Sequence, residues 1–552
     1  MGSTTTEPTI IQGGMGVAVS DWRLARAVSQ YGQLGVVSGT ALDLVLARRL
    51  QLGDPTGDIR RAMSMFPYED MADRILDRYF VEGGKAPDTP FRPIAVLSED
   101  PKQEQQELLV LGNFVEVFLA KEGHDGFIGV NLLEKIQLPT LPSLFGAMLA
   151  GVDYVLMGAG IPRHIPGILD RLANGEAVEL PLNIEGAGKD DKFVAKFDPK
   201  KFSGDRIPWL VRPKFLAIVA SATLATMLVR KSTGTVDGFV IEGPTAGGHN
   251  ASPRGALKTN SRGEPIYGPR DVVDLEIFRK LGLPFWLAGS YGTPEKVAAA
   301  LAEGATGVQI GTAFAFCKES GMGEEIKQRA IHESCHGTTD VYTDPVASPT
   351  GFPFKLLRLK ESMSETEEYQ SRKRVCDLGY LRHGYKTEDG KIGWRCPADK
   401  VELYTLKGGK VEDTVGRKCV CNGLMANIGM AQYRKATGAE KILVTCGNEV
   451  ASIANFLPES NATEYSAADV LNYLLSKVGL NAEAGLNSST ELNTDVALNT
   501  DVALNADVAL NADVALNADV ALNADVALNA DVALNADATL STDATLGTKT
   551  YS

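Results

Sequence analysis

The chain has 552 residues, more than one compact domain needs, and 44% of them are hydrophobic, enough for a large buried core. Its formal net charge of −14 argues against nucleic acid and anionic membrane as partners, since both demand a basic surface. Seven cysteines at irregular spacing do not form a disulfide framework and fit a reducing cytoplasm, and no apolar run reaches membrane-spanning length.

Residues 8–340 alternate strand and helix patterns. Short apolar or β-branched runs predict strands at 9–12, 35–38, 127–131, 154–157, 215–219, 238–242, 285–288 and 307–310. Helical patterns fall between them, at 21–31, 41–52, 143–150, 165–172, 221–230, 272–281 and 294–302. Strands that alternate with helices pair in parallel, and eight of them predict an α/β fold, a closed (β/α)₈ TIM barrel with insertions. The insertions are expected near 54–123, with helices at 69–80 and 103–121, and near 175–212, a polar Lys/Asp-rich stretch.

Beyond the barrel the alternation breaks. Residues 341–478 carry Cys376, Cys396, Cys419 and Cys421 and a helical pattern at 466–478, and are expected to pack on the barrel as an accessory segment. One C-x-C and two isolated cysteines are unlike the usual zinc frames, so reduced structural cysteines and no metal are expected. Residues 479–552 are a hexapeptide-repeat tail of Leu-Asn-Ala-Asp-Val-Ala units. Period six matches neither an α-helix nor a heptad. It fits either hexapeptide β-helix coils or, the favoured expectation, a disordered low-complexity tail.

In such a barrel the chemistry belongs at the C-terminal ends of the strands, and the glycine clusters fall there. Gln12-Gly13-Gly14-Met15-Gly16 follows the first strand. Glu242-Gly243-Pro244-Thr245-Ala246-Gly247-Gly248-His249 follows the sixth, Ala288-Gly289-Ser290-Tyr291-Gly292 the seventh, and Gln309-Ile310-Gly311-Thr312 closes the eighth. Glycine at a strand end lets backbone approach a planar ligand or a phosphate. The last two turns are the usual phosphate site of this architecture, where Thr312 adds a hydroxyl. Two glycines clear space before His249, which exchanges protons near neutral pH and is the catalytic candidate. His332-Glu333-Ser334-Cys335-His336 satisfies a zinc-protease pattern, but Gly337 should end that helix, and no third ligand is evident.

These motifs, together with Gly129-Val130-Asn131, resemble those of the nitronate monooxygenase (2-nitropropane dioxygenase) family. They appear in family order over about 300 residues, and the first insertion looks closest to the branch with the flavin enoyl reductases of polyunsaturated-fatty-acid and polyketide synthases. The resemblance implies FMN held by Gln12, Gly13, Gly14, Met15, Asn131, Glu242, Gly247, Gly248, Gly289, Ser290, Gln309, Ile310, Gly311 and Thr312, with His249 catalytic. The chain departs from the common Gln-Gly-x-Glu-Ala-Gly-Gly-His pattern, with Glu242 for the Gln and Thr245 for the Glu. The implied activity is oxidation of alkyl nitronates with O2. The alternatives are NAD(P)H-dependent reduction of an enoyl thioester, with an acyl-carrier protein as partner, and a non-catalytic scaffold.

Overall fold

The computed structural model describes residues 7–204, 206–459 and 461–478. The hexapeptide repeats lie outside the described residues. Eight parallel strands form the central sheet: β1 Ile10–Gln12, β2 Gly35–Ser38, β3 Ile128–Leu133, β4 Tyr154–Gly158, β5 Lys214–Val219, β6 Gly238–Glu242, β7 Phe285–Ala288 and β8 Gly307–Ile310. Each strand pairs with the next from β2 to β8, and β8 returns to β1 through Ile10↔Val308 and Gln12↔Ile310. The strands follow those expected from the apolar runs, because strands covered on both faces read as continuous hydrophobic stretches.

The seam between β1 and β2 is short in main-chain pairing. Gln12 N–H donates to Leu34 O (2.9 Å) and Leu34 N–H to Ile10 O (3.1 Å). Beyond them the side-chain amide of Gln12 continues the ladder. Its Oε1 accepts from Val36 N–H (3.0 Å), and its Nε2 donates to Val36 O (3.2 Å) and Gly13 O (2.6 Å). The residue is wholly buried.

Ile11, Val36, Leu156, Leu216, Val240 and Trp286 fill the barrel interior as a packed core. Its N-terminal mouth is plugged by the segment before β1: Trp286 Nε1 donates to Pro8 O (2.8 Å) and Tyr154 Oη to Glu7 Oε2 (2.7 Å). The opposite, C-terminal mouth is therefore the open one.

Helices cover the outside. Helix Trp22–Gln30 starts at Asp21, whose carboxylate caps the Arg23 amide (2.9 Å). The first insertion adds three helices, Asp58–Ser64, Glu69–Tyr79 and Gln103–Lys121. The second forms a hairpin of Val178–Pro181 with Val194–Phe197. Helix Glu324–His336 ends at Gly337 in the left-handed conformation, as the glycine predicts.

Residues 341–478 are bound into the barrel mouth. Strand β10 (Phe354–Leu357) pairs on one side with β9 (Val341–Asp344) and on the other with Gly248–His249, through His249↔Phe354. Helix Ala467–Leu475 packs against helices Trp22–Gln30 and Pro294–Ala302. Tyr380 of this segment donates to Asp43 (2.5 Å) and Tyr465 to Ala313 O (2.7 Å). Among the described residues no helix is long and apolar enough to cross a membrane.

Candidate active site

A cavity of about 240 Å³ lies at the C-terminal mouth. Gly13, Gly14 and Met15 enter it after β1, and Asn131 from β3. Glu242, Gly247, Gly248 and His249 follow β6, Gly289 and Ser290 follow β7, and Gln309, Ile310, Gly311 and Thr312 close it at β8. Of the residues expected from the motifs, Gln12 alone does not line it. Its side chain belongs to the β1–β2 seam, so the Gln-Gly step closes the barrel, and the cavity lining begins at Gly13.

Two glycines have specific tasks. A Cβ on Gly14 would stand 2.3 Å from the Cβ of Asn131, so only glycine lets that turn pass beside the β3 side chain. Gly289 has φ +97° and is followed by Ser290 at φ +63°. These left-handed positions form the tight turn after β7. Gly311 is different: a Cβ there would meet only Met15 Sδ, at 3.7 Å. Gly289→Ala is therefore expected to lower ligand retention far more than Gly311→Ala, measured as cofactor bound per chain after gel filtration.

Asn131 donates through Nδ2 to Leu132 O and Leu156 O (both 3.1 Å), which fixes its orientation. Gln309 keeps a buried side-chain oxygen, Oε1, with no hydrogen-bond partner. A buried polar atom left unsatisfied is costly, and this one belongs to a residue that lines the cavity.

His249 sits between the barrel and residues 341–478. Its Nε2 lies 2.6 Å from Ser348 Oγ, which also contacts Thr350 Oγ1 (2.9 Å), and its ring packs against Phe354 with centroids 4.7 Å apart. Burial lowers its pKa to about 4, so the imidazole is neutral at physiological pH. Glu242 is its complement. Its carboxyl makes no hydrogen bond among the described residues, and burial raises its pKa to about 8, so it is held as the neutral acid.

A second cavity of about 420 Å³ adjoins the first and shares Ala159, Ile218, Glu242 and His249 with it. The neutral base and the neutral acid thus stand at the junction of two chambers. Environments that push two titratable groups in opposite directions are a mark of acid–base sites.

Part of the wall escaped sequence reasoning. Leu378, Tyr380, Val420, Thr445, Gly447 and Glu449 all come from residues 341–478, as does Ser348 behind His249. Gly447 N–H donates to Thr312 Oγ1 (2.8 Å), and Glu449 Oε1 accepts from Gly292 N–H (2.6 Å). Their one sequence signal is the step Thr445-Cys446-Gly447-Asn448-Glu449 after an apolar run, which has no fixed spacing to the barrel motifs.

The model of the family described as nitronate monooxygenase matches residues 205–350. A probable nitronate monooxygenase from Staphylococcus haemolyticus is 31% identical over 130 residues, 23% of this chain and 35% of that protein. Another from Staphylococcus saprophyticus is 28% identical over 160 residues, 29% of this chain and 42% of that protein. The chain thus spans less than half the length of the curated relatives it matches. Among solved structures, FabK from Thermotoga maritima shares 17% identity with a TM-score of 0.39, over 87% of this chain and 96% of its own. A nitroalkane oxidase from Streptomyces ansochromogenes shares 15% with a TM-score of 0.43, over 87% and 98%. The family match at 205–350 takes in the β6 turn with Glu242 and His249, the β7 and β8 turns and Ser348, and over these residues the chain is similar to the nitronate monooxygenase family.

Proposed function

We propose that the chain is an FMN-dependent nitronate monooxygenase with His249 as its general base. The observation that carries this reading is a neutral imidazole, held at Nε2 by Ser348, on the wall of a cavity ringed by four glycine-rich strand ends.

The residues fit a flavin. The Gly13–Gly14 turn and Asn131 line the cavity in which a flat ring system would lie, and Gln309 Oε1 offers an unused acceptor for an N–H on its edge. The turns after β7 and β8 would hold the phosphate through the amides near Gly289–Ser290 and Gly311–Thr312. Gly292 N–H is already taken by Glu449. FMN, when bound, supplies the electron-transfer chemistry that links substrate oxidation to O2.

The protein's own groups manage protons and charge. With Ser348 accepting from Nε2–H, His249 keeps a lone pair on Nδ1, which has no other partner among the described residues. That nitrogen takes the α-proton of a neutral nitroalkane. Glu242, as the neutral acid, donates a hydrogen bond to the nitro oxygen that gains negative charge. Activity on neutral nitroalkanes is expected to rise through pH 4 as His249 loses its proton, to hold level, and to fall above about pH 8 as Glu242 loses its own, and an initial-rate pH profile checks this.

One observation favours a second reading, reduction of an enoyl thioester by NAD(P)H. Leu133, Ile136, Leu378, Leu381, Val420 and Leu424 give the cavity an apolar wall suited to an acyl chain, and Glu242 would protonate the α-carbon. An absorbance spectrum followed by two assays tests both. Flavin bands, nitronate turnover with O2 and no anaerobic bleaching by NADPH support the first reading. Bleaching by NADPH with enoyl-thioester turnover supports the second. A protein that stays colourless with added FMN overturns both.

A further inference from the structure

Four cysteines that the sequence leaves scattered come together beneath the active-site wall. Cys376 lies in a loop, Cys396 just after the strand Ile392–Arg395, and Cys419 and Cys421 at the start of helix Val420–Asn427. All four line one small cavity of about 10 Å³, together with Pro349, Leu378 and Val420. That is the space of a single small particle, and four of the nine residues that line it are cysteines. None of the four is in a disulfide.

We propose that Cys376, Cys396, Cys419 and Cys421 form a structural site for one zinc ion, bound as a tetrathiolate. Buried cysteines acting as small apolar residues would not need to gather at one point from three separate stretches of chain. A zinc ion would bind the four thiolates and release their protons as it bound.

The charge surroundings agree. A zinc ion with four thiolates carries two net negative charges. The guanidinium of Arg382 faces Cys376, Cys396 and Cys421, and among its hydrogen bonds are those to the carbonyls of Gly379 (3.0 Å) and Leu97 (2.5 Å). Arg372 faces Cys419 while it also grips Glu440. Among the described residues no three His, Cys, Asp or Glu side chains already stand at ion-holding spacing. Here all four cysteines line the same small cavity. Rotation about Cα–Cβ moves a sulfur between staggered positions, and that is the adjustment binding asks of the site. The position suits a brace: Leu378, Val420 and Cys421 line both this cavity and the active-site cavity, and Pro349 follows the Ser348 that holds His249.

The test uses the full chain, expressed with zinc in the medium and purified with a reductant and without chelator. Elemental analysis is expected to find about one zinc per chain whatever the flavin content, so the result stands apart from the flavin reading. A Cys376→Ser/Cys396→Ser variant should lose the zinc, while Cys335→Ser should keep it. Cobalt added to metal-stripped wild type should give a thiolate-to-cobalt charge-transfer band. Substoichiometric zinc without that band overturns the proposal, as does a disulfide found on thiol titration. Zinc retained by the double variant overturns it too, since the metal would then lie elsewhere.

Discussion

Replacing His249 by alanine is expected to lower turnover of a neutral nitroalkane by about 10²–10⁴-fold while the flavin stays bound. The imidazole stands over the cavity floor made by Gly247 and Gly248, and it is neutral because burial disfavours its cation. The base is therefore ready at any pH above about 4. A pre-formed nitronate has already lost its α-proton and should lose much less activity in the variant. Ser348→Ala removes one hydrogen bond to the ring and leaves the base in place, so a smaller loss is expected, on the order of tenfold, as a single hydrogen bond contributes about 1 kcal/mol. The measurement is the ratio of nitroalkane to nitronate rates in wild type and both variants. Equal losses on both substrates would make His249 an orienting group, and no loss on either would remove it from the mechanism.

What the sequence disclosed and what it hid divide along one physical line. The barrel was legible because each strand is a contiguous run and four of them exit into glycine-rich turns, so β1 to β8 and that rim announce themselves locally. Gln12 shows the limit of such reading. A polar residue at a strand end is a natural ligand contact, yet here its amide substitutes for main-chain pairing at a seam no local pattern reveals. The wall from residues 341–478 was hidden for a related reason. Ser348 reaches His249 across 99 positions, and Gly447 reaches Thr312 across 135. Contacts of that range leave no periodicity behind. The cysteines were visible as residues but not as a cluster, since the strand Ile392–Arg395 and helix Val420–Asn427 must fold back before Cys376, Cys396, Cys419 and Cys421 share a cavity.

Glu242 occupies the position where the family pattern commonly has Gln, and its protonation state is expected to set how nitronate binding depends on pH. Burial raises its pKa to about 8 and no cation opposes this. Its one charged influence of note is on Tyr267, whose pKa rises to about 12 through burial, with Asp271 and Glu242 adding to it, so the phenol stays neutral over the same range. His249, the other titratable group at the junction of the two cavities, is neutral throughout as well. Below pH 8 the carboxyl is therefore a neutral hydrogen-bond donor that does what a Gln amide would do for an anionic nitro group. Above pH 8 it becomes a buried anion that repels the nitronate. Nitronate stays anionic across the alkaline range, so the change in binding follows the protein. KM for a nitronate should be flat up to about pH 8 and then rise about tenfold per pH unit, as the protonated fraction falls by that factor. Glu242→Gln carries the amide at every pH and should remove the alkaline rise, with KM near the wild-type value at pH 7. Binding of an unreactive planar anion such as butyrate, followed by calorimetry at pH 7 and pH 9, should weaken in wild type and not in the variant. An alkaline rise that survives Glu242→Gln would assign the titration to another group. A rise in wild type confined to kcat for an enoyl thioester would identify Glu242 as the proton donor of a reductase.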